Sequence, residues 1–292
     1  MEQETQPKPR RKGKRSFKYI IRFFQIIFAL IAVFIISFFV TLAWRASEDN
    51  LPEIEERYSV PQNQNGYSAK QTLLPQKETG IAEKFDRLFN IEDAVNKERL
   101  KIRHYVFFKD IPRAMRQAVI AVEDKRFYAH GGFDVESIAR ATVVNVEEGE
   151  ISQGGSTITQ QLAKNLFLTQ ERSFTRKVEE LFLAIQLERH YDKNKILEMY
   201  LNTIYFGSNF YGIYEAAHGY FDKEPKDLTV AECAMLAGIP NAPSIYSPYV
   251  NFMLAKKRQL VVIDAMVKAH FIGNYEAEKA RVEEIILREG VY

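Results

Sequence analysis

The feature that most constrains this chain is an uncharged apolar segment near its N-terminus. It runs from Phe23 to Ala43, and its polar residues are Gln25, Ser37 and Thr41. A helix of this length spans about 30 Å, the thickness of the hydrocarbon core of a bilayer. A cleaved signal peptide is the alternative, but its apolar region is only about 7–15 residues long and ends at small residues. This segment is 21 residues long and is followed by Trp44 and Arg45, so we predict an uncleaved single-pass membrane helix within residues 19–44.

The residues before this segment are strongly basic. Eight lysines and arginines lie in the first 22 residues: Lys8, Arg10, Arg11, Lys12, Lys14, Arg15, Lys18 and Arg22. A basic tail can bind nucleic acid or an anionic membrane surface. The apolar segment beside it favours the membrane, and positive charge on this side predicts a cytoplasmic tail over residues 1–18. We therefore expect the rest of the chain on the outer face of the cell membrane and no nucleic-acid partner.

The remaining chain divides into a linker and one mainly α domain. Residues 45–103 are polar and rich in turn residues until Ile81–Arg103, where helical spacing of apolar residues predicts an amphipathic helix packed on the next domain. Contact of this helix with the membrane surface is the alternative. Residues 104–292 show helical patterns without a convincing strand. Predicted helices are Ile111–Val122, Val135–Val146, Ser156–Phe167, Phe174–His190, Lys193–Asn202, Thr229–Leu236 and Phe252–His270. Asp192 is predicted to cap the helix from Lys193, and Thr229 to cap the next one with Glu232 as its capping-box partner. Cys233 is the only cysteine, so core burial rather than an intrachain disulfide must stabilise the domain.

The first candidate site residue is Glu123, which directly follows the apolar run Ala118–Val122. Burial at the end of such a run raises the pKa of a carboxyl group and suits it to act as a general base. The alternative is a structural acid that pairs with Lys125 or Arg126. The histidines show no metal-ligand spacing, so the sequence predicts no metal-binding residues.

A second cluster follows the Gly154–Gly155 pair. If the helix begins at Ser156, then Ser156, Gln160 and Lys164 lie on one face, flanked by Thr157 and Gln161. Hydroxyls, amides and an ammonium group without an acid suit a sugar or a phosphate. The alternative is a solvated helix face.

A third cluster is cationic. Arg172, Arg176 and Lys177 precede Glu180, which lies four residues after Arg176. An ordinary helical ion pair, worth only about 0.3–0.5 kcal/mol, explains the spacing equally well. The functional interpretation is a pyrophosphate pocket in which Glu180 positions the cations.

Five motifs in order over about residues 106–266 resemble those of the peptidoglycan glycosyltransferases, glycosyltransferase family 51. The first comprises Glu123, Asp124, Phe127, His130 and Gly132. The second runs from Gly154 or Gly155 through Ser156, Thr157, Ile158, Gln160, Gln161 and Lys164 to Asn165. The third is Arg176, Lys177 and Glu180; the fourth is Ile196–Asn202 with its continuation to Ile213; the fifth is Ala234–Pro240 with Pro243 and Tyr246–Pro248. The chain departs from the family pattern at Asp222 and at Lys257–Arg258, and we expect neither departure to touch the chemistry.

The resemblance implies a lysozyme-like glycosyltransferase domain that polymerises lipid II into β-1,4-linked glycan with inversion, using the nascent glycan strand as donor. Glu123 is then the general base on the acceptor hydroxyl, and Glu180 is a second catalytic residue. The resemblance also implies two groups of binding residues. Those for sugar or phosphate are Asp124, Phe127, Ser156, Thr157, Gln160, Gln161, Asn165 and Asn202; those that stabilise the departing undecaprenyl diphosphate are Lys164, Arg172, Arg176 and Lys177.

The resemblance further implies contact with membrane lipid, since the substrate is lipid-linked. It allows a divalent metal, Mg²⁺ or Mn²⁺, at the pyrophosphate, although no cofactor is required by the sequence. Proteins of the division or elongation machinery are possible partners. The chain contains no Ser-x-x-Lys motif, so a monofunctional enzyme without a transpeptidase domain is expected.

Two other function classes stay open at this point. A lysozyme-like hydrolase or lytic transglycosylase would also use a buried glutamate, but glycan cleavage releases no pyrophosphate and needs no such cationic cluster. A non-catalytic membrane scaffold of the wall-synthesis machinery would not need Glu123.

Overall fold

The computed structural model describes Arg87 and residues 89–139, 155–168 and 173–288, which all belong to one compact unit. The basic tail, the predicted membrane helix and most of the linker lie outside these residues, as do Gly154 and Arg172. In the described part of the chain, no helix combines the length and the apolar character that crossing a bilayer requires.

The described residues are mainly α-helical, as the sequence predicts. The helices are α1 Ile91–Arg99, α2 Arg113–Glu123, α3 Ile158–Phe167, α4 Phe174–His190, α5 Lys193–Thr203, α6 Gly212–Phe221, α7 Val230–Gly238, α8 Pro243–Tyr246, α9 Phe252–Lys268 and α10 Asn274–Val282. Single 3₁₀ turns occur at Phe108–Asp110, Phe127–Ala129, Pro225–Asp227 and Ile239–Asn241. Residues 135–139 are also helical.

Side-chain caps explain where several helices begin. Thr157 and Gln160 form a capping box at α3, and Thr229 and Glu232 form another at α7. Asp192 accepts a hydrogen bond from the backbone N–H of Lys195 at the start of α5. Such caps satisfy backbone donors that the first helical turn leaves unpaired. The predicted capping roles of Asp192, Thr229 and Glu232 are confirmed.

Helix α7 lies at the centre of the fold. All of its residues from Ala231 to Gly238 are buried, and it packs against both α2 and α9. A helix that is buried on every side needs mostly small or apolar residues, and its Ala-rich sequence meets that need; the buried Glu232 accepts hydrogen bonds from Lys223 and the N–H of Thr229. Helix α3 packs against α4 and α5, and α5 packs against α6. The C-terminal end of α2, the N-terminal half of α3 and α5 thereby come close together.

A tight loop joins α5 to α6 and depends on glycine. Gly212 has φ +79°, and a Cβ atom there would lie 2.6 Å from the carbonyl oxygen of Asn202. Its N–H donates to the carbonyl of Ile204 at 2.9 Å, which brings the chain back beside the end of α5. Only glycine combines this left-handed backbone with so close an approach.

The predicted helices agree with the structure to different degrees. Helix α4 has the predicted bounds, Phe174–His190, while α3 begins at Ile158 and not at Ser156 as predicted. Helices α6, α8 and α10 were not predicted. Helix α1 packs against α4 and buries Ile91 and Val95, so this part of the predicted linker contacts the domain. The predicted helix Val135–Val146 continues into residues that lie outside the described ranges.

Candidate active site

Glu123 is the last residue of α2 and lies half-buried at the helix end. Its Oε2 accepts a hydrogen bond of 2.8 Å from Gln161 Nε2, and its Oε1 accepts none from any described residue. Burial is the largest influence on its pKa and raises it, which confirms the direction expected from the sequence. The site therefore contains a carboxyl group with one oxygen held by the protein and one available to a substrate hydroxyl.

Charged groups from three parts of the fold act on the Glu123 carboxyl. Lys164 on α3 and Arg258 on α9 lower its pKa, whereas the neighbouring Asp124 raises it. Burial outweighs the two cations, so the net pKa stays raised. The departure at Lys257–Arg258 was expected not to touch the chemistry, but the charge of Arg258 does act on the Glu123 carboxyl. It is distant from Glu123 in sequence, and only the packing of α9 against α2 brings its charge near.

Asp124 connects the two motifs that contain Glu123 and Lys164. Its Oδ2 accepts a hydrogen bond of 3.0 Å from the backbone N–H of Ile158, the first residue of α3. His130 Nε2 lies 2.9 and 3.0 Å from the two carboxylate oxygens. A carboxylate at a helix N-terminus also interacts favourably with the helix dipole. Both Asp124 oxygens thus contact protein groups that fix α3 relative to α2.

The first turn of α3 is arranged differently from the prediction. Thr157 is the N-cap, and its hydroxyl donates to the carbonyl of Gly132 at 2.7 Å and accepts from the N–H of Gln160. Gln160 Oε1 accepts a hydrogen bond of 3.0 Å from the N–H of Thr157. Ser156 lies before the cap. The prediction that Ser156, Gln160 and Lys164 share one helical face is therefore wrong for Ser156, which precedes the helix, and Gln160 is buried because it completes the capping box.

The predicted cationic cluster surrounds one buried carboxylate. Glu180 is 3% exposed and forms ion pairs with Lys177 Nζ and, at 3.4 Å, with Arg176 Nη1. Lys177 Nζ also donates to Ser156 Oγ at 3.0 Å, which joins the start of α3 to α4. The two cations keep donor groups at a half-exposed surface, and Glu180 holds them in place.

Lys164 on α3 is influenced by the charges of both glutamates. Burial is the strongest influence on the pKa of Lys164 and lowers it, as do the charges of Arg176 and Lys177. The carboxylates of Glu180 and Glu123 act in the opposite direction, but the net pKa is lowered. Its Nζ forms no hydrogen bond or ion pair with the residues that the structure describes. A partly buried ammonium without such a partner is suited to bind an anionic ligand.

The other predicted binding residues have different surroundings. Phe127 is fully buried in the core, with Lys193 Nζ 4.5 Å from its ring centroid. Asn202 accepts a hydrogen bond from the N–H of Val106 and donates to the carbonyls of Val106 and Glu198, all within 2.7–2.8 Å. Asn165 is half-buried on α3, and Arg172 lies outside the described residues. The roles of these residues in binding stay predictions.

The donor groups of the site do not form a metal centre in the described part of the chain. No three His, Cys, Asp or Glu side chains there come together as metal ligands. The nearest carboxylate to the cations, Glu180, is already paired with Arg176 and Lys177. The Mg²⁺ or Mn²⁺ that the resemblance allows at the pyrophosphate stays a prediction.

Comparison with known proteins agrees with this arrangement of motifs. The family model described as Transglycosylase matches residues 91–267, which is more than half of the chain. The chain therefore belongs to the transglycosylase family, and the resemblance to the peptidoglycan glycosyltransferases is confirmed. The match includes α1, which precedes the five motifs.

Similar proteins include two penicillin-binding proteins. The chain is 51% identical to penicillin-binding protein 1F of Bacillus subtilis (strain 168) over 179 residues, which is 61% of this chain and 25% of that protein. It is 49% identical to penicillin-binding protein 1A of Neisseria gonorrhoeae over 183 residues, 63% of this chain and 23% of that protein. A crystal structure of penicillin-binding protein 1A from Haemophilus influenzae matches 46% of this chain and 16% of that one at 31% identity, with a TM-score of 0.33. The matched regions span about a quarter of the length of the two curated relatives.

Proposed function

We propose that this protein is a peptidoglycan glycosyltransferase that polymerises lipid II into β-1,4-linked glycan strands for cell wall synthesis. The reaction inverts the configuration at C1 of the donor MurNAc and releases undecaprenyl diphosphate. The observation that carries the proposal is the pair of carboxylates whose charges both act on Lys164: Glu123, with a raised pKa and a free oxygen, and Glu180, paired with cations.

Glu123 is the general base in this proposal. Its Oε1 accepts the proton of the 4-hydroxyl of the acceptor GlcNAc as that oxygen attacks C1 of the donor. A raised pKa makes the carboxylate a stronger base than an exposed glutamate, while Gln161, Lys164 and Arg258 favour its charged form against burial. These opposing influences suit a group that must be ionised near neutral pH and still accept a proton.

The cations on α3 and α4 stabilise the leaving group in this proposal. Negative charge grows on the departing diphosphate, and Lys164, Arg176 and Lys177 place ammonium and guanidinium groups where they can stabilise it. Arg172 is also proposed to stabilise this charge, and that role rests on the resemblance alone. Glu180 keeps Arg176 and Lys177 positioned when no substrate neutralises their charge.

The location of the substrate supports a membrane-anchored enzyme, and its lysozyme-like fold is proposed from the resemblance. Lipid II stays in the bilayer through its undecaprenyl tail, so the domain must work at the outer face of the cell membrane. The uncharged segment Phe23–Ala43 behind a basic tail is the proposed anchor, with the N-terminus in the cytoplasm. Lipid II, the glycan strand and membrane lipid are the proposed partners. A monofunctional enzyme and division or elongation proteins as partners stay predictions from the sequence.

The test is polymerisation of purified lipid II by the full chain, with Glu123→Gln, Glu180→Gln and the control Glu276→Gln. Glu276 is exposed on α10 and serves as a matched carboxyl-to-amide change. We expect long glycan from the wild type and the control, a loss of about 10²–10⁴-fold for Glu123→Gln and a smaller loss for Glu180→Gln.

Two results would overturn the proposal. Release of muropeptides from intact sacculi, without polymerisation of lipid II, would indicate a glycan-cleaving enzyme. Full cellular function of Glu123→Gln would indicate a scaffold that needs no catalysis.

A further inference from the structure

We infer that Tyr200 is a positioning residue that holds the side-chain amide of Gln161 with its NH₂ group towards Glu123. The inference deepens the proposed function, because it rests on Glu123 as the general base. Tyr200 contacts Glu123 only through Gln161, and it therefore acts on the orientation of the hydrogen-bond donor and not on the substrate.

The three side chains form a directed chain of hydrogen bonds. Tyr200 lies on α5 and is 0% exposed, and its hydroxyl donates to Gln161 Oε1 at 3.1 Å. Gln161 lies on α3, and its Nε2 donates to Glu123 Oε2 at 2.8 Å. In each bond the donor lies on the side away from the carboxylate: the buried phenol donates to the amide, and the amide donates to Glu123.

The phenol makes this direction the favoured one. An amide can rotate by half a turn and exchange its oxygen and its NH₂ group. After that rotation, Nε2 would donate to the Tyr200 oxygen, and the buried hydroxyl hydrogen would lose its acceptor. An unsatisfied buried donor is costly, so Tyr200 disfavours the rotated state. Without the hydroxyl, nothing at that end of Gln161 would distinguish the two orientations.

The orientation decides which form of Glu123 is favoured. An NH₂ group that faces the carboxyl stabilises its charged form, and the hydrogen bond from Gln161 does lower its pKa. An amide oxygen in the same place would accept the proton of a neutral carboxyl and favour the form that cannot act as a base. The other charged groups that act on Glu123 are Asp124, Lys164 and Arg258, and the Tyr200 hydroxyl donates to Gln161 and to none of them.

The experiment compares Tyr200→Phe with the control Tyr220→Phe in the full chain. Tyr220 is equally buried, but its hydroxyl bonds to the carbonyl of Phe206 and to Ser247 Oγ, each at 2.8 Å. Both changes remove one buried hydroxyl at nearly constant volume. The pH dependence of lipid II polymerisation is measured for each variant.

For Tyr200→Phe we expect near wild-type activity at high pH and a rate at acidic pH that falls about three- to tenfold further than in the wild type. Tyr220→Phe should retain the wild-type shape of the profile. Gln161→Met, which cannot donate to Glu123, should shift the pH profile in the same direction, and the double variant should shift it little further because both changes break the same chain. A uniform loss at every pH in Tyr200→Phe, without a change of shape, would contradict the inference.

A second measurement separates this inference from the proposed function. In protein with ¹³C-labelled glutamate, the carboxyl signal missing from Glu123→Gln identifies Glu123 and is titrated without any substrate. If the Tyr200→Phe change moves that titration to higher pH while the wild type does not polymerise lipid II, the positioning role stands and the proposed function falls. If the wild type polymerises lipid II but the titration is unchanged in Tyr200→Phe, the positioning role falls and the function stands.

Discussion

The carboxylate of Asp124 accepts a 3.0 Å hydrogen bond from the backbone N–H of Ile158, 34 residues further along the chain. This bond joins the residue after the proposed base to the first turn of the helix that contains Gln161 and Lys164. Two sequence motifs thereby become one site. The bond also means that the second acid of the Glu-Asp pair has a structural task, since its oxygens contact α3 and His130.

The first prediction concerns Asp124. Asp124→Asn removes the negative charge from the N-terminus of α3 and places an NH₂ group against either Ile158 or His130. We expect a loss of about 1–2 kcal/mol in stability and a reduced rate, because α3 is no longer held against α2. Chemical denaturation of the full chain measures the loss. Asp227→Asn, a change at an exposed aspartate, is the control and should be nearly neutral; equal effects of the two changes would refute this explanation.

The second prediction is that Glu123 lowers stability at neutral pH. Because burial raises its pKa in the folded protein, folding favours the protonated carboxyl. Its stabilising contribution is complete below the pKa of the unfolded chain, about 4.3, and is lost as pH rises through the folded value. Glu123→Gln mimics the neutral form, so its melting temperature should exceed that of the wild type increasingly between acidic and neutral pH. A difference that does not change with pH would speak against a raised pKa.

The third prediction concerns Arg258, whose charge lowers the pKa of Glu123. Arg258→Gln should raise that pKa further, so that the activity at acidic pH falls more than the activity at pH 8. The pH profile of lipid II polymerisation measures this change. Lys257→Gln removes the neighbouring exposed charge and should leave the profile unchanged. If both variants shift the profile equally, the effect is one of net charge and not of Arg258 itself.

The fourth prediction concerns the loop after α5. Gly212→Ala places a Cβ atom 2.6 Å from the carbonyl oxygen of Asn202 in a backbone with φ +79°, so we expect a loss of more than about 2 kcal/mol. Gly131→Ala is the matched control, because a Cβ atom there would have no neighbour within 4 Å. Thermal unfolding of both variants measures the difference. A tolerated Gly212→Ala change would mean that the loop can relax away from α5.

Local signals determined much of the helical structure. Helix α4 follows its predicted bounds, and the capping residues Asp192, Thr229 and Glu232 act as predicted, because a cap bonds to backbone within a few residues of itself. Helices α6 and α10 were missed. Gly212 and Gly219 weaken the helical signal of α6, and α10 has a polar sequence in which only Ala277 and Ala280 are buried.

The sequence by itself determined the family, the identity of the proposed base and the direction of its pKa shift. These depend on motif order and on the apolar run before Glu123, which are properties of neighbouring residues. The tertiary structure alone decided that Gln161, and not Gln160, bonds to Glu123, and that Tyr200 and Arg258 bear on the same carboxyl group. These residues lie on α3, α5 and α9, and their approach depends on how the helices pack around α2 and α7, which no spacing within one segment encodes.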